Sequence, residues 1–388
     1  MPVDLTNYSV FLYSSDPTVF NDATQYVSSI SIVRGKSRAL DYYEPGSLSI
    51  TFNNYNRLFD PTNISSTFYG YIQPKRRIIV QLPGGQGFSG LIDDWSFTYD
   101  NNGESYASLT ATEKISFFVN QYLDAQTFPS ELSGARVTRI LNDPNVQWPT
   151  GWGSQVISPG TQKLDADTIA AGTNVLDYLR QIETSEQGQL FMQGTDSLKF
   201  QDNNYGISNL SSLPVFSDNG TGWSYESIEV SYTSQLLYNK IQATSWDSNT
   251  ATTVDSDSIS SFGVYQLNIE NILYGDTTKL RSLSNYLANK YSEPEYRFDS
   301  IKVNVYGLSS SQQINLGYAF ILNGFASVIC KPNGIGSAIQ KYVRIIGIED
   351  DVTPSSHYRT YKLESIKNPS LVLDDVEFGK LDTYSLGL

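Results

Sequence analysis

Residue types able to do chemistry are sparse in this sequence. His357 is its only histidine and Cys330 its only cysteine. One histidine cannot build a two-histidine metal site, and one cysteine excludes an intrachain disulfide and a cysteine-based metal centre. No serine or cysteine has an evident base partner. His357 therefore reads as a surface or loop residue. Cys330, within Ser327-Val328-Ile329-Cys330, reads as a small buried hydrophobe rather than a nucleophile. Gly84-Gly85-Gln86-Gly87 has the composition of a phosphate cradle, but it opens no helix and no Lys-Ser/Thr closes it, so a hairpin turn is expected. Asp93-Asp94 and Asp374-Asp375 lack the alternating spacing of a calcium loop and read as solvated carboxylates. Among 40 Asp and Glu residues, a pair suited to glycoside hydrolysis can always be found, so such a pair carries no weight. Lys75-Arg76-Arg77, the one basic cluster, reads as a solvated strand end. These residues predict no catalytic set, no cofactor and no metal.

The 388 residues suffice for two or three domains with ample core. Charged residues make up 17% and aromatics 13%, which sets the chain apart from disordered acidic proteins. Abundant Ser, Asn, Thr and Tyr suit β-structure with wet, hydrogen-bonding surfaces. A net charge of −14 argues against a sequence-independent nucleic-acid binder, which needs a basic face to neutralise phosphates. It suits a channel wall that DNA passes without sticking, and it also suits many ordinary soluble proteins. No secretory h-region and no apolar run of about 18 residues is present, so no membrane span is expected. The expectation is a cytoplasmic product that stays soluble until it is used or assembled.

The elements that must position these residues are mostly strands. Ile30-Ser31-Ile32-Val33 is β-branched and breaks at Arg34-Gly35. After Glu44-Pro45-Gly46, Leu48, Ile50 and Phe52 alternate with Ser47, Ser49 and Thr51, the pattern of a half-buried strand. Strands are also expected at 8–13, 77–82, 88–99 and 106–111, with a short helix at 114–123. Residues 1–123 then form a first small antiparallel barrel, because closing the sheet removes sticky edges. Residues 124–215 read as an inserted α+β domain. It has a helix around 137–141 and a second at 174–187, with Thr173 or Asn174 as N-cap, Gly188 as the residue after the C-terminus, and a hairpin at 190–200. Residues 216–368 return to strands as a second barrel, with a polar loop at 244–258 and a helix capped by Asp276. Residues 369–388 are too polar to form a core and read as a docking tail.

The order of unusual short motifs adds to this. RGxSxxLDxxExG from Arg34 to Gly46 is followed by an alternating strand and by Asn54…Phe59-Asp60-Pro61. This resembles the N-terminal signature of minor tail proteins of long-tailed bacteriophages, the tail-tip or baseplate hub proteins. Ordered fragments continue the likeness from about residue 25 to the end. They include Tyr69-Gly70-Tyr71-Ile72-Gln73-Pro74, Phe88-Ser89-Gly90-Leu91, Glu186-Gln187-Gly188-Gln189-Leu190-Phe191, Tyr238-Asn239, Ser258-Ile259, Ile346-Gly347-Ile348 and Leu373-Asp374-Asp375. The departures are Lys75 where the family has Gly, Phe325 where it has Asp, and Asp350 or Asp351 where it has His.

The resemblance implies two tail-tube-like barrels flanking the small α+β domain. It further implies a structural virion protein rather than an enzyme: a homotrimer whose pseudo-sixfold ring joins the sixfold tail tube or distal tail protein to a threefold tip. Its implied partners are those proteins, the tape measure protein, and tail fibres or a central spike. Its implied place is the virion tail tip, where host entry and genome ejection occur. Two other classes remain open at this level: a glycan-binding receptor-recognition β protein, and a tail-borne cell-wall hydrolase.

Overall fold

The computed structural model describes residues 8–366, apart from 17, 86, 102, 149–152, 195 and 207–211. The expected docking tail and Asp374-Asp375 lie outside the described residues. The N-terminal half holds β1 (Ser9–Tyr13), β2 (Phe20–Asp22), β3 (Val27–Gly35), β4 (Glu44–Asn53), β5 (Arg77–Gln81), β6 (Phe88–Tyr99) and β7 (Ser105–Glu113). The alternation in β3 and β4 does what the pattern requires: Ile30, Ile32, Leu48, Ile50 and Phe52 are buried. The segment after β4 closes on itself. Asn54 Oδ1 accepts from the Phe59 amide at 2.9 Å, and Asp60 Oδ1 accepts from the Thr62 amide at 2.8 Å. Phe59 thereby stacks on Phe52 at 4.6 Å and on Phe68 at 4.7 Å.

The middle holds α1 (Ser133–Leu141), α2 (Val175–Glu186), β8 (Gln189–Gln193) and β9 (Ser197–Gln201). Asn174 caps α2 by accepting from the Asp177 amide at 3.1 Å. Gln187, with φ 55°, takes the left-handed position expected of Gly188. The helix expected at 114–123 is a 3-10 turn, Lys114–Asn120, followed by the short strand Tyr122–Leu123.

The C-terminal part holds β10 (Ser227–Thr233), β11 (Lys240–Ser245), β12 (Thr250–Val254), α3 (Ser256–Phe262), β13 (Gln266–Ile272), α4 (Thr277–Tyr291), β14 (Glu295–Asn304), α5 (Ser310–Ala319), β15 (Phe325–Cys330), β16 (Ile339–Thr353) and β17 (Ser356–Ile366). The loop expected at 244–258 thus contains β12 and the start of α3. The turn Asp247–Asn249 closes a hairpin there, with Asn249 donating to Asp247 Oδ2 at 2.9 Å.

One hydrogen-bonded path joins both ends of the chain, in the order β10-β14-β17-β16-β3-β4-β7-β6-β5-β1-β2. The N-terminal and C-terminal β regions, expected as two barrels, are therefore joined through one sheet, while β8 and β9, and β11–β13, lie in smaller sheets apart from it. The link is the antiparallel pairing of β16 with β3, in which Val352 faces Ile30 and Gly347 faces Gly35. A Cβ on Gly35, whose φ is 103°, would lie 2.3 Å from the Ile346 carbonyl oxygen. The path also contains a duplication. The four strands β3-β4-β7-β6 and the four strands β10-β14-β17-β16 share one order, and β5 flanks β6 as β15 flanks β16. Both carry a bulge at the same place: Asp93 lies between the pairs Ile92–Ala111 and Asp94–Thr110, and Ile346 lies between Ile345–Leu363 and Gly347–Lys362. Just before each flanking strand a non-glycine residue has positive φ, Lys75 at 63° and Asn323 at 60°. Their amides donate to the matching carbonyls, Ile92 at 2.6 Å and Ile345 at 2.8 Å.

Three apolar cores result. One lies under β1, β3–β7 and a second under β14–β17 with α5. The third unites α1, α2, β8 and β9 with Ile241, Ala251, Ile272, Leu280, Leu283 and Leu287. Residues 240–291, expected within the second barrel, belong to this middle core. Ser185 accepts from the Leu273 amide at 2.8 Å, and Asp165 accepts from the Gly275 amide at 2.7 Å, tying the two segments together.

Candidate functional site: the junction of the cores

The signature residues converge where the three cores meet. Arg34, at the end of β3, is buried. Its Nε donates to Glu113 Oε1 at 2.7 Å, and its other nitrogens donate to the carbonyls of Gly87 at 3.0 Å and Met192 at 3.1 Å. Glu113 Oε2 accepts from the Gly46 amide at 2.9 Å. A Cβ on Gly46 would sit 2.7 Å from the Glu113 carboxyl carbon, so glycine is what lets the strand approach the ion pair. A buried pair of this kind adds little net stability over an apolar pair, but removing one partner strands the other charge at a cost of about 3–5 kcal/mol.

The hairpin β8–β9 is the element these groups hold. In β8, Leu190 and Met192 enter the middle core, while Phe191 points the other way and packs on Tyr43 at 5.1 Å. Lys36 Nζ donates to Gln189 Oε1 at 2.9 Å, and burial pushes its amine down to about 8. Arg77 and Lys114 both pair with Asp196 at the tip of the hairpin. Burial, with Arg77 adding to it, pushes the Lys114 amine down to about 6, while the contact with Asp196 favours its charged form. From the C-terminal half, Asn323 donates to Gln201 and accepts from the Tyr43 hydroxyl at 3.1 Å. The hairpin therefore reads out the relative placement of all three cores.

At its base two glutamates of α2 turn inward. Glu183 accepts from the Leu190 amide at 3.0 Å, and burial raises its carboxyl to about 7. Glu186 accepts from Ser133 Oγ at 2.7 Å, from the Thr161 hydroxyl at 2.6 Å and from the Gln162 amide at 2.8 Å.

A second buried charge group lies in β16–β17. Asp350 Oδ1 accepts from Arg359 Nε and lies against His357 Nε2, both at 2.7 Å. Burial works to raise this carboxyl, but Arg359 and His357 hold it below the usual range. Five residues beyond Arg359 in β17, on the strand's other face, Glu364 pairs with Lys290 at 2.6 Å, forming one wall of a cleft of about 490 Å³. The cleft mixes Glu229, Glu295 and Glu349 with Arg297 and Lys362, so it offers no charge of one sign to a ligand.

His357 is thus not a surface residue. It is 1% exposed and faces inward with Arg359 because inward positions alternate along β17. Its imidazole is a structural partner of Asp350. Cys330 is buried in β15. Residues 83–87 connect the antiparallel strands β5 and β6, and Gly84 packs against Gly317 of α5. Asp94 is exposed, whereas Asp93 is held by Lys75 and Thr112, each at 2.6 Å. The basic cluster splits: Lys75 is solvated, while Arg77 turns in to Asp196. Glu113, Lys114, Asp196 and Arg359 are the buried or half-buried charges of these groups that sequence reasoning does not single out. The available signal was a charge at an inward position of an alternating strand, as at Arg359.

No protein-family model matches the sequence, and no curated protein matches it. Solved structures do. The 43 kDa tail protein of prophage MuSo2 from Shewanella oneidensis aligns with a TM-score of 0.60 at 13% identity, over 92% of this chain and 97% of that one. A tail protein of Neisseria meningitidis MC58 aligns with a TM-score of 0.62 at 12% identity, over the same shares of both chains. The chain has the fold of phage tail proteins. This fold also extends to a chain of the Francisella PdpA–VgrG complex in its lidded form, with a TM-score of 0.52 at 10% identity, over 94% of this chain and 54% of that one. In the tail-protein fold found here, the junction residues fix how the two four-stranded halves and the middle core sit together. That is a positioning task.

Proposed function

We propose that the chain is a structural subunit of a phage-type tail, and that three copies form a hub ring at its tip. The observation that carries this reading is the duplicated sheet. One chain supplies two four-stranded units of the same order within a tail-protein fold, so three chains supply six such units, a match for a sixfold tube above a threefold tip. The outward face of the N-terminal unit supports a channel beside it. Ser31, Ser47, Ser49, Thr51, Ser108 and Thr110 lie on the side of the sheet away from the apolar core, and the face carries hydroxyls without Lys or Arg. Such a wall hydrogen-bonds water and gives phosphates no cation to pair with. The tube or distal tail protein, the tape measure protein and a fibre or spike are the partners this role requires.

Electron microscopy of the purified chain, together with its solution mass, tests the reading. A threefold ring with an open centre is expected. A monomer that binds host polysaccharide, or that clears peptidoglycan and loses that activity with a single carboxylate substitution, would overturn it.

A further inference from the structure

The join between the halves is a template. It pairs the outermost strand of one four-stranded unit, β16, with the outermost strand of the other, β3. The duplication leaves one more pair of the same kind, β6 and β10. Strand β5 covers β6 only along Phe88–Leu91, so residues 93–99 of β6 pair with no strand on that side among the described residues. Among the described residues, strand β10 pairs with β14 alone. Natural edges are usually blunted by lysine, proline or a bulge. Neither DDWSFTY nor SIEVSYT contains Lys or Pro, the one bulged residue, Asp93, lies at the very start of the first, and β10 has no extra residue of its own. From Trp95 to Tyr99 and along β10 the backbone is thus free of these devices.

We propose that residues 93–99 of β6 in one copy pair antiparallel with β10 of the next copy, repeating the β16–β3 join between subunits. That three such joins close a ring rests on the hub reading above. The duplication fixes the register. The matching bulges equate Asp94 with Gly347, and hence Ser96 with Glu349. The pairs Ser49–Thr110 and Ser300–Lys362 equate Ser49 with Ser300, and the pairs Ser31–Ser49 and Glu229–Ser300 then equate Ser31 with Glu229. Because Glu349 faces Val33 and Asp351 faces Ser31 within the chain, Ser96 faces Ser231 and Thr98 faces Glu229 of the next copy. On the core side Trp95, Phe97 and Tyr99 meet Tyr232, Val230 and Ile228. These are aromatic and β-branched pairs of the kind that stabilise sheets. Tyr99 is 51% and Tyr232 70% exposed in the single chain, and both become covered. No like charges are opposed.

Opposed residues of an antiparallel pair lie within disulfide reach. The double variant Ser96→Cys/Ser231→Cys, purified as the full chain and treated with a mild oxidant, is expected to give a covalent trimer that reductant dissolves. Each single variant, and the out-of-register pair Ser96→Cys/Ser227→Cys, is expected to stay uncross-linked. Tyr232→Lys, at an exposed position compatible with a folded single chain, is expected to raise the concentration for half-assembly about tenfold. A trimeric mass without cross-linking would overturn the edge pairing and leave the hub reading standing. An open ladder of linked oligomers would support the pairing and overturn threefold closure. Cross-linking that appears only once residues 367–388 are removed would assign the edge to that segment and overturn the proposal, as would an unchanged assembly of the Tyr232→Lys variant.

Discussion

The two four-stranded units share an order and a bulge but fill equivalent positions with opposite chemistry. In the N-terminal unit, Phe97 faces Ala107 across β6 and β7; in the C-terminal unit, the matching pair across β16 and β17 is Asp350 and Arg359. The strand end that carries the buried Arg34 in one unit carries the exposed Tyr232 in the other. The backbone ladder is thus indifferent to what occupies the inward position, provided the occupant is satisfied: an apolar pair by packing, a charged pair by full hydrogen bonding. Where the unit meets another core, charge replaces hydrocarbon and specifies the fit.

The sharpest test breaks the charged version. Asp350→Leu should cost about 3–5 kcal/mol in urea unfolding, because Arg359 stays buried without its anion. Installing the other unit's pair, Asp350→Phe with Arg359→Ala, should return most of that loss. A double variant as unstable as the single one would show that the two positions are not interchangeable. Next in size, Arg34→Met should cost about 3 kcal/mol by stranding Glu113, while Tyr232→Met at the matching position should change the stability of the single chain by less than about 0.5 kcal/mol.

A third test uses pH. Glu364 in β17 matches the uncharged Thr112 of β7. Burial works to raise its carboxyl, but Lys290 first and Arg344 next hold it at about 2, below its ordinary 4.5. A folded-state value below the unfolded one means that the stabilisation is complete above about pH 4.5 and is lost as pH falls towards 2. Glu364→Gln should therefore flatten the acid limb of a stability–pH profile. The smallest effect concerns the paired left-handed positions. Lys75→Gly should raise stability by about 0.5–1 kcal/mol through relief of backbone strain. Asn323→Gly should lower the Tm, since that side chain also holds Tyr43 and Gln201.

Strands with a regular inside and outside were legible in the sequence. The alternation of Leu48, Ile50 and Phe52 with hydroxyls, and the spacing of Val175, Leu179 and Ile182, put those residues in the core. Helix α5 was not legible. Its sequence SSQQINLGYA has almost no apolar stripe, and its start depends on the reciprocal bonds between Ser309 and Gln312. Nor was the reach of the middle core into residues 240–291, since Leu280, Leu283 and Leu287 announce a buried face without naming what buries it. Of the junction, the motif glycines and Arg34 were legible, but Glu113 and Asp196 were not. An ion pair joining residues 79 apart along the chain leaves no local period to read.

By itself, the sequence determined the alternating strands β3, β4, β6 and β7, helix α2 and the caps, because these rest on local periodicity and on side chains that bond their own backbone, as Asn54 and Asn174 do. It also determined the scarcity of catalytic residue types. Only the tertiary structure decided that the two β regions share one sheet, that His357 and Arg359 are buried partners of Asp350, and that one hairpin joins three cores. Each of those outcomes depends on which distant segment supplies the hydrogen bond or counter-charge, and burial without such a partner costs more than any local preference can offset.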